Sequence, residues 1–138
     1  MKHSITFVGL DVHKDSIAIA LADDGRDGDV RLYGSIDGDT AALDKTIRKI
    51  RRAGVELHFV YEAGPCGYEI YRHLTKQGFH CDVIAPSMTP KKSGVRIKTD
   101  RRDALSLARL YRAGELTPVY VPRVTVVRSI MFDFPRFA

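Results

Sequence analysis

The stretch that decides the fold lies near the amino terminus, where residues 5–21 read Ile5-Thr-Phe-Val-Gly-Leu-Asp-Val-His-Lys-Asp-Ser-Ile-Ala-Ile-Ala-Leu21. Two short apolar runs, residues 5–10 and 16–21, flank a polar interruption of hairpin length. A second turn signal, rich in Asp and Gly, precedes a weaker apolar run at residues 30–35. Three strands in succession, joined by tight polar turns, predict an antiparallel meander.

The hydrophobic pattern then changes from the period of a strand to that of a helix. Asp39 or Thr40 can cap a helix that ends at Gly54. Pro65 suits the start of a second helix, which runs to Gly78. The remaining predicted elements are strands at residues 55–61 and 80–85, a basic loop at residues 86–98, and a last helix that is capped by Thr99 and reaches Ala113.

Strands that are separated by helices favour parallel pairing with right-handed crossovers. Joined to a three-stranded meander, such a unit predicts an α/β fold with a five-stranded mixed sheet flanked by helices, which is the ribonuclease H-like arrangement. Element order alone leaves other mixed α/β folds open.

The composition is that of one ordinary globular domain: 138 residues, of which 44% are hydrophobic and 28% charged. No apolar run approaches the roughly 20 residues that a membrane span needs. For the same reason we expect no membrane partner. Cys66 and Cys81 show no metal-ligand spacing and need no disulfide, so we expect a reduced, cytoplasmic setting.

Positive charge is concentrated in the last third of the chain. Residues 1–89 carry 11 Lys+Arg and 13 Asp+Glu, a net charge of −2, whereas residues 90–138 carry 11 and 4, a net charge of +7. A localised basic surface indicates a polyanionic partner, and a solvated charged face is the simpler alternative.

Four acidic residues are candidates for one cluster. Asp11 follows the first predicted strand and Glu62 the fourth, and parallel neighbours place both at the carboxyl edge of the sheet. Asp100 and Asp103 are three residues apart in the first turn of the predicted last helix, on a face that we expect to project toward the same edge. Each acid also has a simpler interpretation, as a turn acceptor, a surface charge or an acid favoured at a helix start.

Clustered carboxylates repel one another unless a cation lies among them, and oxygen ligands suit Mg²⁺ or Mn²⁺. Two such ions, about 3.5–4 Å apart, can stabilise the attacking and leaving oxygens of a phosphodiester displacement. The chemistry also needs positive charge to hold a nucleic-acid strand, and the candidates for this contact are Lys91, Lys92, Arg96, Lys98, Arg101 and Arg102.

Four stretches stand out together: Val8-Gly-Leu-Asp-Val-His-Lys-Asp15, Tyr61-Glu-Ala-Gly-Pro-Cys-Gly-Tyr68, Asp82-Val-Ile-Ala-Pro-Ser87 and Lys98-Thr-Asp-Arg-Arg-Asp-Ala-Leu105. They resemble the N-terminal domain of a family of bacterial insertion-sequence transposases. This family has a DEDD, RuvC-like domain, and its elements are guided by a bridge RNA. The resemblance extends from about residue 5 to residue 122.

The resemblance implies that Asp11, Glu62, Asp100 and Asp103 are the four DEDD acids. It further implies a nuclease domain that uses Mg²⁺ or Mn²⁺, with two ions, to cut and join DNA strands. DNA is then the expected partner, with RNA as a guide.

The end of the chain departs from the family pattern. We expect residues 1–122 to form the RuvC-like DEDD nuclease domain and residues 123–138 to be an atypical tail, frameshifted or truncated. Family members continue into a second domain, in which a serine is expected to act as nucleophile. The tail is apolar where a charged helix is expected, and this favours self-association into a homo-oligomer.

Two functions follow from these patterns. The first is the metal-dependent DNA strand cleavage and transfer domain of a transposase, in a truncated copy that lacks the serine-bearing domain and is incomplete on its own. The alternative is a non-catalytic remnant that binds nucleic acid and associates with itself. Actin-like sugar kinases and ATPases start similarly, but they need phosphate loops and a second domain that this sequence does not supply.

Overall fold

The computed structural model describes residues 4–25, 28–64, 67–90, 97–100 and 102–121. Along these residues the elements follow in the order β1 (Ser4–Val12), β2 (Ser16–Asp23), β3 (Val30–Asp37), α1 (Thr40–Ile50), β4 (Val55–Glu62), α2 (Glu69–Lys76), β5 (His80–Ile84), β6 (Ser87–Pro90), β7 (Ile97–Asp100) and α3 (Ala104–Arg112). None of the helices in these ranges is long and apolar enough to cross a membrane.

Five strands form one mixed sheet in the order β3-β2-β1-β4-β5. The first three strands pair antiparallel, whereas β4 pairs parallel with β1, and β5 pairs parallel with β4. In the β1–β4 pair, Leu10 lies beside Tyr61. This confirms the α/β fold with a five-stranded mixed sheet flanked by helices, consistent with the ribonuclease H-like arrangement.

Alternating side chains of the central strands divide the core between the two faces of the sheet. Tyr61 is buried on the face covered by α1 and α2, in one cluster with Leu43 and Leu74. The next residue back, Val60, lies on the opposite face and packs with Leu107 of α3. Because side chains alternate along a strand, the residue after Tyr61 also faces α3. The sheet therefore directs Glu62 toward the helix that follows the basic segment.

A glycine in β1 determines how closely α3 approaches the sheet. A Cβ atom at Gly9 would lie 2.5 Å from the carbonyl oxygen of Ala104 and 2.7 Å from the amide nitrogen of Ala108. Both distances are shorter than non-bonded atoms tolerate, so β1 accepts the helix backbone only where it carries no side chain. This contact places the first turn of α3 against Gly9, which precedes Asp11 by two residues in β1.

The region before α3 differs from the prediction. Residues 86–98 were expected to form a loop, but β6 and β7 pair antiparallel, with Ser87 opposite Asp100. The alternating, partly β-branched sequence of residues 97–100 suits a strand, and the loop prediction gave too much weight to the Pro, Gly and Lys content. Asp100 therefore ends a strand and does not lie in the last helix.

Helix boundaries also differ from the prediction. Asp103, not Thr99, caps α3, because its Oδ1 atom accepts the amide hydrogen of Ser106 at 2.8 Å. Asp39 caps α1 as expected, but that helix ends at Ile50, and Gly54 (φ +78°) lies in the turn before β4.

Candidate functional site

Two acidic residues lie at the carboxyl edge of the sheet on neighbouring parallel strands. Leu10 and Tyr61 are register partners, so the residues that follow them, Asp11 and Glu62, leave the core side by side. Both fall on the α3 face by the alternation of strand side chains. The Asp11 side chain is 16% exposed and that of Glu62 only 2%. The sequence prediction that these two acids share one edge agrees with this placement.

The carboxylate of Glu62 is held by the segment that leads into α3. The Arg102 guanidinium donates from Nη1 to Glu62 Oε2 at 2.7 Å. The amide nitrogen of Arg102 also lies 3.4 and 3.5 Å from the two carboxylate oxygens. A carboxylate removed from water costs several kcal/mol unless a cation and hydrogen bonds compensate it. Arg102 supplies both, so its described contact is with Glu62.

Asp11 has a neighbouring histidine of its own. His13 follows it by two residues and therefore points to the same side of the chain. The Nε2 atom of His13 lies 3.2 Å from Asp11 Oδ2, and the histidine side chain is half exposed. The chain thus places one basic side chain beside each of these two acids.

Asp103 lies at the start of α3, on the same side of the sheet as Glu62, but it is exposed. One of its carboxylate oxygens, Oδ1, caps the helix through the amide of Ser106. The other oxygen, Oδ2, has no hydrogen bond to any described residue. We expected the side chain to project toward the sheet edge rather than into water, and the exposure contradicts that detail. The reason is that the residue is the N-cap of the helix and does not belong to its packed face.

The fourth acid, Asp100, is placed only by its backbone. It ends β7, two residues before Arg102, and its side chain lies outside the described part of the structure. Since consecutive Cα atoms are about 3.8 Å apart, its Cα is within about 8 Å of that of Arg102. The backbone of Asp100 is therefore near the carboxyl edge.

The described residues bring the acids to one region without assembling a ligand set. Among them, no group of three or more His, Cys, Asp or Glu side chains is close enough together to hold a metal ion. Glu62 is paired with a guanidinium, and Asp103 with a helix amide. Of the cluster expected from Asp11, Glu62, Asp100 and Asp103, the three acids with described side chains, Asp11, Glu62 and Asp103, have separate partners.

Most of the residues predicted to contact nucleic acid belong to the segment before α3. Lys91, Lys92, Arg96 and Arg101 lie outside the described residues, as does the side chain of Lys98. The buried ion pair of Arg102 is the feature that sequence reasoning missed. Its only signal is the position of the arginine one residue before the N-cap of α3.

The far end of α3 is anchored by a second carboxylate. The hydroxyl of Tyr111 donates to Asp82 Oδ2 at 2.7 Å, and burial together with this hydrogen bond raises the pKa of the phenol above its ordinary value. Asp82 also contacts His80 at 3.0 Å. Polar contacts to β4 and β5 thus fix both ends of α3. They hold its first turn beside the acidic edge, the carboxyl edge of the sheet that carries Asp11 and Glu62.

Sequence comparisons identify the family of this chain. Residues 8–128 match the IS110-type DEDD family, whose description reads transposase. The chain is 51% identical to the candidate transposase y4qE of Sinorhizobium fredii over 116 residues, which make up 84% of this chain and 30% of that protein. It is 38% identical to the transposase for insertion sequence element IS1533 of Leptospira borgpetersenii over 116 residues, 84% of this chain and 33% of that protein. It thus spans about a third of the length of these relatives. With the matched family covering most of its length, the chain belongs to the IS110-type family of DEDD transposases.

Proposed function

We propose that this chain is the metal-dependent DNA strand cleavage and transfer domain of a transposase. The observation that carries the proposal is the juxtaposition of Asp11 and Glu62 at the ends of parallel strands, with the start of α3 on the same face. Its relatives are about three times as long. Strand cleavage and joining are therefore proposed for the whole transposase, and cation binding for this domain.

The donor set suits a hard divalent cation. Carboxylate oxygens are the ligands that Mg²⁺ and Mn²⁺ prefer, and the chemistry of Asp11, Glu62, Asp100 and Asp103 fits two such ions. When bound, the ions would activate a hydroxyl and stabilise charge on the reacting phosphate. A divalent ion at this edge would take over the charge compensation that Arg102 supplies to the Glu62 carboxylate.

The residues of this chain hold the acids in position and compensate negative charge. The sheet fixes Asp11 and Glu62, and the N-cap geometry fixes Asp103. Arg102 compensates the buried carboxylate of Glu62 in the absence of a divalent ion. The partners proposed for the domain are DNA and a guide RNA, bound through phosphates by the basic segment that was predicted from the sequence. Self-association into a homo-oligomer and a boundary after residue 122 belong to the same proposal.

Calorimetric titration with Mn²⁺ tests the proposal. We expect the chain to bind Mn²⁺, and Asp11→Asn or Asp103→Asn to weaken binding by at least about tenfold, since each variant removes an anionic ligand. Asp15→Asn is the matched control, because Asp15 is an exposed acid in the same hairpin turn. Equal affinity in wild type, site variants and control would refute the metal site.

The alternative is a non-catalytic domain that binds nucleic acid and itself. It is favoured by one observation, namely that Glu62 is already satisfied by Arg102. This alternative predicts salt-dependent nucleic-acid binding with no Mn²⁺ binding in the same preparation.

A further inference from the structure

A groove runs between the edge strand β3 and α1, on the face of the sheet opposite the one that α3 covers. It comprises two adjoining cavities of about 310 and about 780 Å³, and Tyr33 and Lys49 line both of them. The smaller cavity also contacts the start of β1, and the larger one follows α1 toward its first turn. The groove thus extends along most of the helix, about 16 Å for its 11 residues.

The groove is basic. Two carboxylates, Asp37 and Asp39, lie at its end near the first turn of α1. Arg31 is already paired with two aspartates, at 3.2 and 3.4 Å. Five cationic side chains line the groove, namely Arg31, Lys45, Arg48, Lys49 and Arg52.

Of the four cations other than Arg31, Arg48 acts electrostatically on the nearby Asp44 carboxylate, and the remaining three are available to a ligand. Lys45, Lys49 and Arg52 are exposed, and none of them forms a salt bridge with a described residue. Lys45 and Lys49 lie in the middle and the last turn of α1, and Arg52 lies two residues beyond the end of the helix; all three line the groove beside β3. Unpaired cations along one groove create the local positive potential that attracts a polyanion. A single occupant must therefore carry several negative charges in a row.

An aromatic side chain lies in the wall of the same groove. Tyr33 is 39% exposed and contributes to both cavities. β3 is the outermost strand of the five-stranded sheet, so none of the described strands covers the space beside the tyrosine. A positive groove with an exposed aromatic ring is the combination that binds single-stranded nucleic acid, by phosphate contacts and base stacking.

We infer that the β3–α1 groove binds a single strand of nucleic acid, with Lys45, Lys49 and Arg52 contacting phosphates and Tyr33 stacking on a base. The acidic end of the groove adjoins the hairpin that contains Asp11, since the amide of Gly38 donates to the carbonyl of Asp15 at 3.1 Å. Its cations belong to α1 and the turn after it, whereas the basic segment predicted from the sequence comprises residues 91–102. It does not depend on metal binding at the acidic edge.

Fluorescence anisotropy with a short, labelled oligodeoxynucleotide, in EDTA and over a series of salt concentrations, tests the inference. We expect Lys45→Gln/Lys49→Gln/Arg52→Gln to weaken binding at low salt by at least about tenfold and to reduce the salt slope by about 2, the value for three phosphates on a single strand. The matched control removes three exposed cations elsewhere, by Arg72→Gln/Lys76→Gln/Arg109→Gln. Equal losses in the two triple variants would overturn the inference, because the effect would then be one of net charge alone.

Tyrosine variants test the stacking contact. We expect Tyr33→Ala to weaken binding of the single strand about fivefold or more and Tyr33→Phe to retain it. A duplex of the same sequence is expected to be insensitive to Tyr33→Ala, since its bases are already stacked. Circular dichroism melting establishes that the variants are folded. If Tyr33→Ala has no effect on the single strand, or affects the duplex equally, the inferred contact is wrong.

Discussion

The guanidinium of Arg102 lies 2.7 Å from Oε2 of Glu62, although the two residues are 40 positions apart in the chain. This ion pair joins the end of β4 to the start of α3. It compensates one of the least exposed carboxylates of the described structure with a cation that belongs to the chain. A divalent ion that binds Glu62 must therefore displace Arg102 or share the carboxylate with it.

Arg102→Gln should destabilise the metal-free protein. The substitution leaves the Glu62 carboxylate without its cation, and breaking a buried pair from one side costs about 3 kcal/mol. The free energy of unfolding in urea, measured in EDTA, checks this. Arg109→Gln on the exposed side of α3 is the control and should change the free energy little. Saturating Mn²⁺ should restore part of the loss in Arg102→Gln. Equal stability of the two variants would contradict the assigned role of the pair.

Gly9→Ala should displace α3. The added Cβ would lie 2.5 Å from the carbonyl oxygen of Ala104, and overpacking of this kind costs about 1–3 kcal/mol. Gly64→Ala is the control, because the nearest atom to its added Cβ, the carbonyl oxygen of Glu62, is 4.0 Å away. Urea unfolding of both variants measures the difference. Indistinguishable stabilities would show that α3 is not seated on β1 as described.

Asp44 links α1 to α2 and should make stability depend on acid pH. Its Oδ1 atom is 2.7 Å from His73 Nε2, and this hydrogen bond holds the pKa of Asp44 below its ordinary value of 3.8. A lowered pKa in the folded state means that the stabilisation is complete above the ordinary pKa and is lost as pH falls through the folded value. The free energy of unfolding of wild type minus Asp44→Ala should therefore shrink below about pH 4. A difference that stays constant down to about pH 3 would contradict this linkage.

Cys81 should be unreactive in the folded protein. It is buried in β5, and this burial raises the pKa of its thiol well above the ordinary value, so that little thiolate forms. A Cys66→Ser variant leaves Cys81 as the only thiol. We expect no reaction with a thiol reagent at mildly alkaline pH and full reaction after unfolding in guanidinium. Rapid labelling of the native variant would mean that β5 is not packed as observed.

The strand pattern was the part of the fold that the sequence could predict. Apolar runs of strand length separated by Asp- and Gly-rich turns led to the meander, and two further runs around a helix led to the parallel strands. From that order the proximity of Asp11 and Glu62 followed directly. These features rest on local periodicity and on the few ways in which strands connect.

What could not be predicted depends on contacts between distant residues. The pairing of Ser87 with Asp100 needs the two strands to meet, and neither is strongly apolar. The start of α3 depends on the choice between Thr99 and Asp103 as N-cap, which the packing of the helix against Gly9 constrains. The ion pair of Arg102 with Glu62 depends on the pairing of β6 with β7 and on the position at which α3 starts.

Anomalous diffraction from a crystal soaked in Mn²⁺ tests the central claim most directly. The proposed site predicts anomalous density beside the carboxylates of Asp11 and Glu62, with the Arg102 guanidinium moved away from Glu62. An ion bound elsewhere, or no density at saturating Mn²⁺ with the 2.7 Å pair intact, would contradict the metal centre.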